Sequence, residues 1–236
     1  MKLILTGCEY AGKRTVGRRI WKWWSERTGA EYRDPPHSGF HDHFTVPNVV
    51  HPVGHEDHRE QSEKEILDIN PGLLEHFQRF QISYHFSKGF TNAPDHWLID
   101  WYYADAVFAP LYYGYGRPGE YGDRRVMARH HDQEAMDIMP DTILVLVKAS
   151  PEVIRERMHE VEHPRSLFEE KDVEYVLGRF QEEFDNSLIR QRFAIDTAGA
   201  TVDESLEEFT RKVDHYITPE DRQRMASFRA QQSAAS

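Results

Sequence analysis

Gly7-Cys8-Glu9-Tyr10-Ala11-Gly12-Lys13-Arg14-Thr15 follows the short apolar run Leu3-Ile4-Leu5 and opens a helical pattern. The spacing of Gly7, Gly12 and Lys13 fits the phosphate-binding loop G-x-x-x-x-G-K-[ST] except at its last position, where Arg14 stands; Thr15 supplies a hydroxyl one residue late. The residue types follow from the chemistry. Glycines let the backbone curl so that its N–H groups converge on phosphate oxygens. The helix start adds partial positive charge, and the lysine reaches the outer phosphates. The stretch predicts a nucleotide-phosphate site built on Gly7, Ala11, Gly12, Lys13, Arg14 and Thr15. An ordinary strand-to-helix turn with a solvated Lys13 is the alternative, and the strand–loop–helix context weighs against it.

The chain around this loop has 236 residues, enough for one large domain with a sizeable core. Hydrophobic residues make up 39% and charged residues 29%, the balance of a soluble globular chain. A formal net charge of −11 argues against a general nucleic-acid-binding surface, so an anionic ligand must meet a local basic cluster. The single cysteine, Cys8, excludes an internal disulfide and a cysteine zinc site. Placed inside the loop, Cys8 is expected to act as small filler. No segment has the length or character of a membrane span or a signal peptide, so a cytoplasmic location is the default expectation.

Short apolar strands alternate with amphipathic helices. Residues 2–6 read as a buried strand and 13–28 as a helix with Val16, Ile20, Trp23 and Trp24 near one face, stopped by Gly29. Glu31 to Pro36 reads as a second strand, with Asp34 at its carboxyl end. The histidine-rich stretch His37 to His58 could supply metal ligands but matches no zinc signature. Ser62 to Glu65 has a capping-box pattern, and Asn70-Pro71 starts a helix carrying Leu73, Leu74, Phe77, Phe80, Gln81 and Tyr84, most of them expected in the core. Phe77 or Phe80 at a pocket rim could stack on a base, and Arg79 or Gln81 could bond its edge.

Trp97 to Asp100 is a third strand ending in an acid, followed by a helical stretch to 113 and a glycine-rich loop at 114–123. A helix is expected over 124–138 and a strand over Thr142 to Val147. Ser150-Pro151-Glu152 starts a helix carrying Arg155 and Arg157. A long charged helix is expected over about 168–190, a fifth strand over Phe193 to Asp196, a helix over 203–217 and a flexible tail to Ser236. This order predicts an α/β fold: a doubly wound, five-stranded parallel sheet with helices on both faces, of the phosphate-loop NTPase type.

The order of motifs resembles the thymidylate kinase-like branch of the nucleoside and nucleotide kinases over about residues 1–217. Gly7 to Thr15 resembles that family's phosphate loop, which carries an acid at the position of Glu9 that approaches the acceptor's sugar. Arg33-Asp34-Pro35 resembles its Arg-Glu-Pro strand end, and Asp100 with Tyr102, Tyr103 and Ala104 to Gly114 its Asp-Arg-Tyr segment. Pro140-Asp141, the next strand, Pro151-Glu152 and Arg157 follow its pattern closely. The resemblance implies one domain over 1–217, with an acceptor-binding insertion at about 37–86, a lid at about 155–170 and a tail at 218–236.

The resemblance further implies an ATP-dependent phosphotransferase with Lys13, Asp34, Asp100, Arg157 and Arg165 as catalytic residues. Arg155 is a third candidate to close over the transferred group. Magnesium would sit near Thr15 and Asp100, and a nucleoside or nucleotide acceptor near Glu9, Phe77, Arg79, Phe80 and Gln81. Neither nucleic acid nor a membrane is an expected partner; a homodimer is left open. Two departures stand out: Arg14 replaces the magnesium Ser/Thr, and Trp101 replaces the arginine that clamps an acceptor phosphate. They motivate two alternatives: a nucleotide-binding regulatory protein without efficient transfer, and a kinase of a non-nucleotide small molecule.

Overall fold

The structure, a computed structural model, describes residues 1–31, 68–161 and 166–235. Among them are four strands: β1 (Lys2–Thr6), β2 (His96–Ile99), β3 (Ile143–Lys148) and β4 (Gln191–Asp196). They pair in parallel in the order β2-β1-β3-β4. The sheet thus shows four strands where the sequence predicts five; the missing one, Glu31 to Pro36, lies outside the described residues except for Glu31. The histidine-rich stretch, the capping box at 62–65, Asp34 and Arg165 also lie outside them.

β1 is buried along its whole length and β3 up to Val147, because helices cover both faces of the sheet. That coverage is why these strands read as continuous apolar runs rather than alternating ones. One face carries α1 (Lys13–Thr28), which buries Val16, Ile20, Trp23 and Trp24 and ends at Gly29 in the left-handed conformation, as its sequence predicts. The other face is built from α3 (Tyr102–Phe108), α4 (Arg124–Ile138) and α6 (Val173–Asp185), with α5 (Pro151–Glu160) between β3 and α6. A π-helical turn, Ala109–Tyr113, extends α3 where Pro110 lacks an N–H to give.

Three expectations need correcting. α2 (Pro71–Ser83) starts as predicted, with the Asn70 side chain accepting from Gly72 N–H, but it buries Leu74, Gln78 and Ile82. Leu73 and Phe80 are 63% and 67% exposed, because the inward stripe lies one residue round from the predicted one. The charged helix expected over 168–190 is shorter: α6 spans Val173–Asp185 after a 3-10 turn at Glu170–Asp172. The expected tail is helical over α8 (Pro219–Ala235), which follows α7 (Val202–Val213). Phe228 lies close over Gly29, leaving no room there for a side chain. Arg224 pairs with Asp95 at 2.7 Å and lies over the Trp24 ring. A few such contacts, rather than an apolar stripe, seat α8. None of the described helices is long and apolar enough to cross a membrane.

β1 lies between β2 and β3, so successive crossovers leave it in opposite directions. The crevice outside its carboxyl end is the switch point at which open α/β sheets bind ligands. The Gly7–Thr15 loop starts there.

Candidate active site

The loop leaves β1 at Gly7, whose φ is +151°. A Cβ at Gly7 would lie 2.3 Å from the Val147 carbonyl oxygen on β3, so only glycine fits. Ala11 N–H donates to Cys8 O at 3.2 Å and closes the turn. Gly12, at φ +86°, is the N-cap of α1, and no side chain caps that helix start. The first-turn amides of a helix have no intrahelical acceptor, so this end of α1 is suited to an anion. Cys8 is buried behind the loop, where burial pushes its thiol pKa up; it is filler, as expected.

Lys13 folds back over its own loop. Its Nζ donates to Gly7 O and Cys8 O and pairs with Asp100 Oδ2 at 2.9 Å. Asp100 follows the last residue of β2 and is 1% exposed. Its Oδ1 accepts from Thr6 Oγ1 at 3.3 Å and from Gly7 N–H at 3.2 Å. Burial pushes the Asp100 pKa up, against the pull of the Lys13 ammonium and these donors. Thus the loop lysine and the strand-end acid, 87 positions apart in the sequence, meet as an ion pair, a contact the sequence reading did not foresee.

The backbone beyond Asp100 is strained. Asp100 and Trp101 have φ of +63° and +49°, and Trp101 N–H donates back to Ile99 O at 2.7 Å. This tight turn sends the Trp101 side chain into the core. There it is fully buried, donates its indole N–H to Ile82 O at 3.1 Å and packs on Phe86 and Tyr102. The position that holds an acceptor-clamping arginine in the resembled family therefore carries a core residue here.

Arg157 staples the loop to the turn after β4. Its guanidinium donates to Tyr10 O at 2.9 Å, Thr197 O at 2.8 Å and Thr197 Oγ1 at 3.2 Å. Thr197 Oγ1 lies 2.9 Å from Ala11 O and 3.1 Å from Lys148 O. Arg155 instead turns away from the site: it is partly exposed and pairs with Glu174. The two arginines are two residues apart, about half a helical turn, so they point to opposite sides of α5 and only the second faces the loop. On the opposite rim, Ser166 Oγ donates to the Glu9 carboxylate, and Phe168, buried nearby, packs against Tyr10. Burial pushes the Glu9 pKa up to about 7, although Ser166 and Lys13 favour its ionised form.

These groups enclose a cavity of about 480 Å³ whose wall includes Glu9, Lys13, Arg14, Thr15, Arg157 and Thr197. That volume lies within the usual range of small-ligand sites, roughly 300–1,000 Å³. Beyond Thr197 the wall is Ala200, Val202 and Ser205, small side chains beside the phosphate loop. Phe77, Arg79, Phe80 and Gln81 do not line this cavity. Phe80 faces outward, and Arg79 is committed to Glu75 at 2.6 Å.

The donor set does not fit a magnesium ion held directly by Thr15 and Asp100. Both Asp100 oxygens are engaged by Lys13, Thr6 and Gly7. Arg14, which cannot ligate a cation, takes the expected hydroxyl position on the cavity wall. Among the described residues no group of three or more His, Cys, Asp or Glu side chains forms a metal site.

Sequence reasoning missed Ser166 and the part played by Thr197. It also missed a second buried polar cluster, in which Arg124 pairs with Asp105 at 2.8 Å and Glu75 at 2.9 Å, and Tyr115 OH donates to Asp105 at 2.7 Å. One signal was present: Asp105 is an acid within the otherwise apolar stretch of α3.

No family model matches the chain, and no curated protein matches it significantly. Solved structures do. The deoxyadenosine kinase from M. mycoides with dCTP bound superposes with a TM-score of 0.53 at 17% identity. The same enzyme with dATP gives 0.52 at 15%, and with products dCMP and a flexible dCDP, 0.50 at 14%. Each match covers 91% of this chain and 100% of the other. At such identities the likeness is one of fold: this chain shares with a deoxyadenosine kinase a parallel sheet flanked by helices on both faces.

Proposed function

We propose that this protein is a phosphotransferase that binds ATP in the Gly7–Thr15 loop and passes the terminal phosphoryl group to a nucleoside. The observation that carries this is the loop itself: a glycine-framed turn at the switch point of the sheet, opening a helix with no side-chain cap, with Lys13 and Asp100 joined beneath it. The likeness in fold to a deoxyadenosine kinase with bound deoxynucleotides supports the reaction class.

Phosphoryl transfer asks a protein mainly for alignment and for charge to meet the outer phosphates. In this reading the loop amides align the donor, and Lys13 leaves its carbonyl partners to meet the terminal phosphates. Arg157 holds the loop in register with the turn that borders the small-residue end of the cavity, where the base of the nucleotide would lie. Asp34 and Arg165, outside the described residues, keep their proposed roles as base for the acceptor hydroxyl and as a lid cation. A nucleoside is preferred to a monophosphate because Trp101 is buried in the core and offers no clamp for a second phosphate.

A second reading, a nucleotide-binding regulator that transfers slowly, is favoured by Arg14 and by the closed Lys13–Asp100 pair. An acceptor screen separates the two. The protein is incubated with ATP and a panel of deoxynucleosides, ribonucleosides, thymidylate and other monophosphates, with and without magnesium. Acceptor-dependent ADP is expected with at least one nucleoside. Tight ATP binding with no product from any acceptor favours the regulator, and loss of all ATP binding refutes both.

A further inference from the structure

A hydroxyl and a base meet at the phosphate loop. Ser166 Oγ donates to the Glu9 carboxylate, and Glu9 lines the cavity together with Lys13. The Lys13 ammonium is near enough to favour the ionised form of Glu9, so the two side chains address the same space. The fold fixes Ser166 there. Phe168, two residues on, is 4% exposed and packs its ring against Tyr10 of the loop and Phe108 of α3. Phe168 N–H donates to Ser166 Oγ at 3.1 Å, which leaves the hydroxyl proton for Glu9. Further along, Glu169 N–H donates to Tyr112 OH at 3.3 Å, and Tyr112 OH donates to Asp172 at 2.9 Å. The stretch from Ser166 to Asp172 is thereby pinned to the loop and to the π-helical turn. A hydroxyl bonded to a carboxylate is the arrangement of a nucleophile and its general base.

We propose that Ser166 is a self-modification site, to which the terminal phosphoryl group of a nucleoside triphosphate in the Gly7–Thr15 loop is transferred, with Glu9 as the base. The proposal rests on the nucleotide reading above and adds an acceptor within the chain itself. The bond that forms joins Ser166 Oγ to the terminal phosphorus. The bond that breaks joins that phosphorus to its bridging oxygen, and the nucleoside diphosphate leaves. The hydroxyl proton passes to Glu9, which frees the electron pair for the new bond. The phosphoserine carries about 1.5 to 2 negative charges and has no proton left to donate, so it repels the Glu9 carboxylate and frees this end of the stretch from the loop. The reaction therefore stops at one phosphate per chain.

In the test, the full chain is incubated at pH 8 with ATP labelled in its terminal phosphate, with and without magnesium chloride and with no other acceptor. ATP binding is measured in parallel by calorimetry. Acid-stable label is expected on the protein, at a first-order rate independent of protein concentration, with Ser166 as the modified residue by mass spectrometry. Ser166→Ala should take no label, and Ser166→Thr, which keeps the hydroxyl, should take it. Glu9→Gln should slow the labelling by about 10²- to 10⁴-fold, the usual worth of a general base. ATP that binds without labelling Ser166, label only on another residue, a rate proportional to protein concentration, or Glu9→Gln labelled at the wild-type rate overturns the proposal and leaves the nucleotide site standing. Absence of ATP binding overturns the site and the proposal together. Ser166 is only half-buried and Glu9→Gln removes a buried acid, so the variants are expected to fold, and their melting curves verify it.

Discussion

Replacing Lys13 with Met tests the centre of the site as both structure and function. The ammonium is the counter-charge of a carboxylate that is 1% exposed, at 2.9 Å. Removing one partner of a buried ion pair costs about 3–5 kcal/mol, because the other charge is left without compensation. Asp100 keeps two other donors, Thr6 Oγ1 and Gly7 N–H, but at 3.3 and 3.2 Å they are long. The lower end of that range, about 3 kcal/mol, is therefore expected. For a chain of 236 residues this is a fall in Tm of roughly 6–12 °C. The loss should shrink in acid: burial already pushes the Asp100 pKa up, and without Lys13 the carboxyl takes a proton more readily. Asp100→Asn in the Lys13→Met background removes the stranded charge and should recover most of the stability, but none of the phosphate binding. Scanning calorimetry and ATP titration of the wild type, both single variants and the double variant give the full cycle. If Lys13→Met melts within about 1 °C of the wild type, or if Asp100→Asn worsens it, the pair is not what holds the loop to β2.

Three other outcomes follow from the same geometry. Arg157→Ala removes three hydrogen bonds to Tyr10 and Thr197. It should cost about 2–3 kcal/mol and weaken ATP binding, whereas Arg155→Ala should change neither; its coupling to Thr197→Val, measured in a double-mutant cycle, should exceed about 0.5 kcal/mol. Gly7→Ala drives a methyl into the Val147 carbonyl, 2.3 Å from the ideal Cβ, so a loss of roughly 2–4 kcal/mol together with ATP binding is expected, read by denaturant titration. Glu9 has a folded-state pKa raised to about 7, so the native protein holds this proton more tightly than the unfolded chain does. Stability from this group is full below the unfolded value and is lost as pH rises through about 7. Glu9→Gln should therefore gain about 2–3 kcal/mol over the wild type at pH 8 and little at pH 5; equal urea midpoints at both pH values would rule out a buried, proton-retaining Glu9.

The legible parts of the chain were those whose signal is local. The loop, the helix start after Gly12 and the stop at Gly29 each depend on conformations that a few neighbouring residues dictate. The place of Asp100 at a strand end is legible from the apolar run Trp97 to Ile99 before it, while the sequence leaves a helix cap as the alternative to a role in the site. Arg157 was identified, but not its task, since its partners are carbonyls brought in from Tyr10 and Thr197 by the fold. The face of α2 was misphased because Leu73, Leu74, Phe77 and Phe80 are all apolar, and periodicity cannot choose between two adjacent stripes of similar hydrophobicity. α8 was missed for the opposite reason: its docking uses Asp221, Arg224 and Phe228 rather than an apolar stripe. Arg14 is legible in the sequence as a departure from the motif, whereas the engagement of both Asp100 oxygens depends on contacts that only the fold brings together.

Strain points to the same place as the motif. Among the described residues only Tyr10, Asp100 and Trp101 combine a side chain with positive φ, and Tyr10 and Asp100 border the cavity directly. Each such residue costs on the order of 1–3 kcal/mol and persists only where its surroundings fix it. Here those surroundings are identifiable: Arg157 holds the Tyr10 carbonyl, Lys13 holds the Asp100 carboxylate, and the core holds the Trp101 indole. A chain selected for stability alone would relax these turns with glycine or asparagine. That it keeps bulky residues in them, and spends buried charge to do so, argues that the loop is held ready for a ligand rather than shaped by one.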